Sequence, residues 1–289
     1  MTKQILMTAL CVFMIACASG HHEPFQATQS PVRDLSNVQK SIEASVSGSA
    51  YLSFKEIGSV EYDGFSAPIW CVSFRVEEPV SYKILINAGI HGNEPAGVAF
   101  VLQWLEQLAQ NPDQHRSVAV DIIPMVNPWG WVHDIRFNRD GIDINRDFST
   151  FDSQEARIIT TFLEDRHYDL MLDLHEDPSA SGFYVYQYGN KDISIAESLI
   201  DTIRNMGYPI EENISMVILK TENGIIDAPM WGLRYMQITG QLSLSNYYRL
   251  NNSQRVYTIE TPTSLPMADR LTMQRKAVEV LITANTPDS

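Results

Sequence analysis

The residues best suited to chemistry in this sequence fall at the ends of apolar runs. Ile84-Leu85-Ile86-Asn87-Ala88-Gly89-Ile90-His91-Gly92-Asn93-Glu94-Pro95-Ala96-Gly97 ends a strand-like run in a turn with two glycines, and His91 and Glu94 emerge three positions apart as a helix begins. A neutral imidazole and a carboxylate are ordinary zinc ligands, and glycine lets the backbone turn tightly enough to aim both at one cation. Taken alone, the pair could equally be a surface hydrogen bond or an acid favoured by a helix dipole. A second apolar run, Asp169-Leu170-Met171-Leu172-Asp173-Leu174, delivers His175 into an acidic turn, and a third, Arg255-Val256-Tyr257-Thr258-Ile259, ends in Glu260. In open α/β sheets the functional crevice lies beyond the carboxyl ends of the strands, so the two ends carrying His91 and His175 reinforce each other, and Glu260 gains value only in combination with them. The identity of Glu260 alone proves nothing, because an exposed strand end tolerates any polar residue.

Between these runs lie Val126-Asn127-Pro128-Trp129-Gly130 and then Arg136-Phe137-Asn138-Arg139-Asp140-Gly141-Ile142-Asp143-Ile144-Asn145-Arg146-Asp147-Phe148. Three arginines and two asparagines in so short a stretch of an acidic chain ask for a reason. They could simply pair with local aspartates. Alternatively, Arg136 and Arg146 face a substrate carboxylate or a developing oxyanion, where guanidinium forks bind bidentately.

The elements that must position these groups follow from the hydropathy pattern. Short apolar runs predict strands at 68–76, 82–88, 118–125, 168–174, 183–188 and 256–260, and longer amphipathic stretches predict helices at 94–110, 153–166, 193–206 and 267–284. Asp152 could cap the second helix, with Glu155 where a capping box places an acid. The pattern predicts an α/β fold, a single domain over 49–289 with a central mixed, mostly parallel sheet flanked by helices. His115, His133 and His167 read as surface or packing groups, and Cys71, within a strand-like run, as a small buried residue. Glu176, directly after His175, could compete with Glu260 for its role, although adjacent residues on a strand point to different sides. Trp104, Leu105 and Leu108 read as a buried helix face, and Phe183, Tyr184 and Tyr186 as a strand lining the cleft.

Residues 1–17 have the form of an export signal: Lys3 supplies the positive charge and 5–16 an apolar run too short to span a bilayer comfortably. Ile15-Ala16-Cys17 resembles a lipobox, which would make Cys17 a lipidated N-terminus anchored to the outer membrane on the periplasmic side. Ala16-Cys17-Ala18 also fits ordinary cleavage, which would release a soluble periplasmic or secreted protein. Residues 18–48, polar and aperiodic, read as a flexible tether, with His21 and His22 solvated within it. A formal net charge of -14 excludes roles that rest on neutralising phosphates, so no nucleic-acid partner is expected.

Taken in order, His91-x-x-Glu94, Asn127-Pro-x-Gly130, the stretch from Arg136 to Asn145-Arg146-x-Phe148, His175 and Glu260 resemble the zinc carboxypeptidase superfamily, over about Ile84 to Thr261. The resemblance implies that His91, Glu94 and His175 bind one zinc ion, and that Glu260 is the general base of amide hydrolysis. It implies further that Arg136 stabilises the oxyanion and that Asn145 and Arg146 grip a terminal carboxylate. The expected partner is then a peptide with a free carboxylate, peptidoglycan stem peptides among the candidates. Many members place a mobile tyrosine over the substrate. Tyr247 and Tyr248 are the residues on offer, at a spacing that does not match, and 236–249 is the stretch expected to select the terminal side chain. The related zinc deacylases, similar to succinylglutamate desuccinylase and aspartoacylase, share the His-Gly-x-Glu and Asn-Arg elements and are the rival enzyme class. A non-catalytic surface-anchored binding protein is the third reading, and retention of every ligand, base and arginine speaks against it.

Overall fold

The computed structural model describes residues 23–25, 30–76, 80, 82–189, 192–212, 222–251 and 253–286. The expected export signal, Cys17 and the pair His21-His22 lie outside the described residues. No helix among those described is long and apolar enough to cross a membrane.

The sheet is built around four parallel strands: β3 (Tyr82–Ala88), β4 (Val118–Ile123), β5 (Tyr168–Asp177) and β8 (Ser253–Pro262). β3, β4 and the first part of β5 read as largely apolar sequence, as strands covered on both faces must. On one edge, β1 (Leu52–Tyr62) and β2 (Phe65–Phe74) form a hairpin turned at Asp63-Gly64, with β2 antiparallel to β4. On the other, β6 (Tyr184–Tyr188) runs antiparallel to β8 and carries β7 (Ile225–Ala228) beside it. The resulting order is β1-β2-β4-β3-β5-β8-β6-β7.

Alternation along the strands sends Ile84, Ile86, Leu170, Leu172, Tyr257 and Ile259 to one face. There they pack beneath α1 (Leu35–Ser47), α2 (Pro95–Gln110), α5 (Ser194–Asn205) and α8 (Met267–Asn285). Leu85, Met171 and Val256 go to the other face, under α4 (Gln154–Leu163), α6 (Met230–Ile238) and α7 (Leu244–Asn251). A further short helix, α3 (Pro128–His133), follows β4 directly. The mixed, mainly parallel sheet flanked by helices is the architecture the pattern predicts.

Two expectations are corrected. The tether expected over 18–48 is not extended chain throughout: α1 lies within it, started by the Asp34 side chain, which accepts the Ser36 N–H at 2.9 Å. Val38 and Ile42 are buried against the core, so the folded body begins before residue 49. The start of α4 is capped by Ser153, whose hydroxyl accepts the Ala156 N–H at 3.2 Å, and not by Asp152. Glu155 is buried there and takes hydrogen bonds from Tyr62 and Asn138 instead of closing a capping box.

Candidate metal centre and active site

The turn after β3 is shaped by close backbone packing. Gly89 has φ of +64°, which favours glycine, and a Cβ on Gly92 would meet the Gly130 carbonyl carbon at 1.9 Å. Asn127 caps α3 by accepting the Gly130 N–H at 2.8 Å, so the Asn-Pro-x-Gly stretch is the seat on which the 89–94 turn rests. Arg33 locks the joint from outside, donating to the carbonyls of Gly92 and Trp131 at 2.9 Å each.

This turn brings His91 and Glu94 to His175 at the end of β5. All three are buried, and their ligating atoms lie within 4.8 Å of one another. Both Nδ1 atoms face the Glu94 carboxylate, His91 at 2.6 Å and His175 at 2.9 Å. Behind each ring stands a second acid: His91 Nε2 is 3.1 Å from Asp143, and His175 Nε2 is 3.3 Å from Asp173. Such partners hold the proton on Nε2 and leave Nδ1 free to ligate. Two imidazole nitrogens and a carboxylate, with oriented outer partners, fit zinc well.

The charges respond to this crowding. Burial would raise the Glu94 pKa, but the imidazoles of His91 and His175 hold it well below the usual range. Asp143 is held low in the same way by His91 and Arg136, against the effect of its own burial. Burial would lower His175, yet Asp173 and Glu94 raise it well above the ordinary value.

Glu260 is the direct parallel neighbour of His175 in the β5–β8 ladder and faces Tyr184 across the β6 side. Loss of water around it pushes its carboxyl up to about 8, with Glu94 and Asp177 adding to this and His175 and Arg136 opposing it. Glu176 lies on the other side of the strand, accepting the Ala96 N–H at 2.6 Å and the Arg270 guanidinium. It is occupied away from the site, in accord with its expected orientation.

Arg136 reaches the cluster, 3.7 Å from Glu94, and is held by a fork onto Asp143 at 2.9 and 3.0 Å. Asn145 is turned inward: its amide nitrogen is 3.4 Å from His175 Nε2 and its oxygen accepts the Leu244 N–H. Arg146 donates to the Asn145 carbonyl and lies near Tyr186, which also adjoins Glu260. The structure therefore brings together all seven residues singled out in the sequence, with Asn145 bonded to the framework.

The tyrosines divide differently. Tyr248 is fully buried against Tyr168, and Tyr247 packs on Phe148 and Phe151. Neither stands over the metal cluster. The 236–249 stretch borders the site through Leu244 and Leu242, which hold Asn145 and the Phe148 N–H. His133 stacks on Trp129, His115 lies edge-on to Trp104, and Cys71 is buried, all as packing groups. The sequence reading did not assign roles to Asp143, Asp173 and Arg33. For Asp173 a signal existed: two positions before His175 on a strand is the same face.

The model of the succinylglutamate desuccinylase/aspartoacylase catalytic domain matches residues 81–216, which contain every residue of the cluster but not Glu260. Carboxypeptidase 2 of Trichophyton rubrum is 26% identical over 197 residues, covering 65% of this chain and 35% of the relative. The chain thus spans about a third of the length of that curated relative. Among solved structures, a candidate metallopeptidase of Shewanella denitrificans superposes with a TM-score of 0.74 at 20% identity, covering 94% of this chain and 99% of the other. Carboxypeptidase A of Helicoverpa armigera superposes at 0.65 and 14% identity, covering 98% and 80%. In its fold, and over the matched segment 81–216, the chain is similar to zinc carboxypeptidase-like proteins.

Proposed function

We propose that this chain is a zinc-dependent hydrolase that cuts the terminal amide bond of peptides ending in a free carboxylate. The observation that carries the reading is the convergence of His91, Glu94 and His175 at the strand ends, with Glu260 in register beside His175. Zinc held by those three side chains supplies Lewis acidity toward the scissile carbonyl and the attacking water. Glu260 accepts the proton of that water and passes it to the leaving amine; a raised pKa suits both halves of the task. Arg136, anchored by Asp143, faces the charge that develops on the carbonyl oxygen. Arg146 meets the substrate's terminal carboxylate, with Asn145 setting its position through the backbone carbonyl it accepts on.

The leader at 1–17 supports export, with lipid attachment at Cys17 holding the enzyme at the outer membrane on the periplasmic side. Cell-wall stem peptides are then the substrates within reach, and scavenged peptides the alternative. The deacylase reading, release of an amino acid from its N-acyl form, has its own support in the domain that matches 81–216.

One panel separates these. The zinc-loaded protein and Glu260→Gln are assayed on free-carboxylate peptides, on peptidoglycan stem peptides and on N-acyl amino acids. The peptidase reading expects wild-type turnover of peptides, metal retained in Glu260→Gln, and turnover lost there. Cleavage of ordinary peptides alone removes the wall assignment. A robust rate on N-acyl amino acids with none on peptides reverses the choice of class.

A further inference from the structure

Beneath the metal cluster, on the same sheet face, a row of buried hydroxyls ends on the acid behind His175. Tyr188 Oη lies 2.8 Å from Thr258 Oγ1, Thr258 Oγ1 lies 2.8 Å from Ser245 Oγ, and Ser245 Oγ lies 3.0 Å from Asp173 Oδ2. The same Asp173 oxygen is 3.3 Å from His175 Nε2. Asp173 and Ser245 are almost wholly enclosed, and Thr258 and Tyr188 are buried with them.

Each hydroxyl has one proton, and an ionised carboxylate only accepts. Ser245 must therefore donate to Asp173. Its contact with Thr258 then has a proton only if Thr258 donates, and the contact of Thr258 with Tyr188 has one only if Tyr188 donates. Only this direction satisfies all three contacts, Tyr188 to Thr258 to Ser245 to Asp173. Reversal at any point would leave one buried contact without a proton, at a real cost in an enclosed site.

We propose that Ser245, Thr258 and Tyr188 are positioning residues for the metal ligand His175, acting through Asp173 as a one-way hydrogen-bond chain. The chain fixes the Asp173 carboxylate, which holds the proton on Nε2 and directs Nδ1 toward the cation. Three elements enter it, with Tyr188 on β6, Thr258 on β8 and Ser245 on α7, so the orientation of the ligand is set by the packing of the second sheet face. The 236–249 stretch contributes to the metal site through Ser245. The inference rests on His175 being a metal ligand.

The test measures zinc affinity by competition with a chromophoric chelator, with thermal unfolding of the metal-free protein alongside. Ser245→Ala weakens zinc about ten-fold, Thr258→Val less and Tyr188→Phe least. In an Asp173→Asn background, Ser245→Ala brings no further loss of affinity, an outcome that a merely structural role of the hydroxyl does not produce. Wild-type affinity in both Ser245→Ala and Thr258→Val, or an equal loss in the Asp173→Asn background, overturns the proposal. If Ser245→Ala does not fold, Thr258→Val, close to threonine in shape, decides alone. Wild-type protein that takes up no zinc at all overturns the proposed function, and this inference with it, and is told apart by needing no variant.

Discussion

The site has two halves, held in different ways. His175, Asp173 and Glu260 sit on β5 and β8, where the ladder places His175 directly beside Glu260 and each backbone group is shared with a neighbour. Arg136, Asp143, Asn145 and Arg146 sit on the 134–153 loop, where side chains do the work of a ladder. Asn138 accepts the N–H groups of Asp140 and Ile142 and donates to buried Glu155. Asp147 gathers the N–H groups of Asp152 and Ser153 together with the hydroxyls of Thr150 and Ser153. A strand fixes a group to within the sheet's own rigidity, which suits the proton transfer. A loop pinned at a few buried acids and amides can be reshaped without disturbing the sheet, which suits substrate contacts. The two halves should therefore fail differently.

The largest effect is expected on the strand side. Glu260→Gln lowers kcat by about 10²–10⁴-fold while metal analysis still finds zinc and the unfolding transition is kept. A variant that turns over normally would remove Glu260 as the base. The pH profile sharpens the same point. The base works only when ionised, so kcat/KM falls as pH drops through its pKa and is level above it. Enclosure pushes Glu260 up from 4.5 to about 8, and a dication on the adjoining ligands pulls it back down. The acid limb is expected between those two values; a midpoint at or below 4.5 would contradict the enclosed site.

On the loop side, Arg146→Ala costs about 2 kcal/mol or more in kcat/KM on carboxylate-ended substrates, chiefly through KM. A matching substrate with its terminal carboxylate amidated shows much less difference between wild type and variant. Equal losses on both substrates would mean that Arg146 supports the loop and not the carboxylate.

These halves were also unequally legible in the sequence. β3 and β5 read clearly because strands covered on both faces are largely apolar runs, β8 carries a shorter apolar stretch at 256–259, and their ends announced His91, His175 and Glu260. β1 did not, because this edge strand is mostly exposed and interrupts its register between Glu56 and Gly58. α1 was hidden for a related reason: Val38, Ile42 and Ser45 are its buried residues, too few to mark a helix in a polar stretch. The loop's residues were recognisable by type and order, but not their partners. Nothing local says that Asn145 turns to Leu244, or that Asp143 stands behind His91, since those contacts join residues far apart in the chain.

The smallest effect probes how the loop is held. Asn138 is fully buried and its side chain makes three hydrogen bonds, two to backbone N–H groups and one to Glu155. Asn138→Ala leaves the two N–H groups without a mate and removes one of the two side-chain donors to Glu155, at about 1–3 kcal/mol of unfolding free energy by denaturant titration. Because Arg146 and Arg136 flank the disturbed turn while His175 and Glu260 do not, KM should rise, and kcat should fall far less than in Glu260→Gln. A fall in kcat at unchanged KM would show instead that loop and strands act as one unit, and the division into two halves would have to be given up.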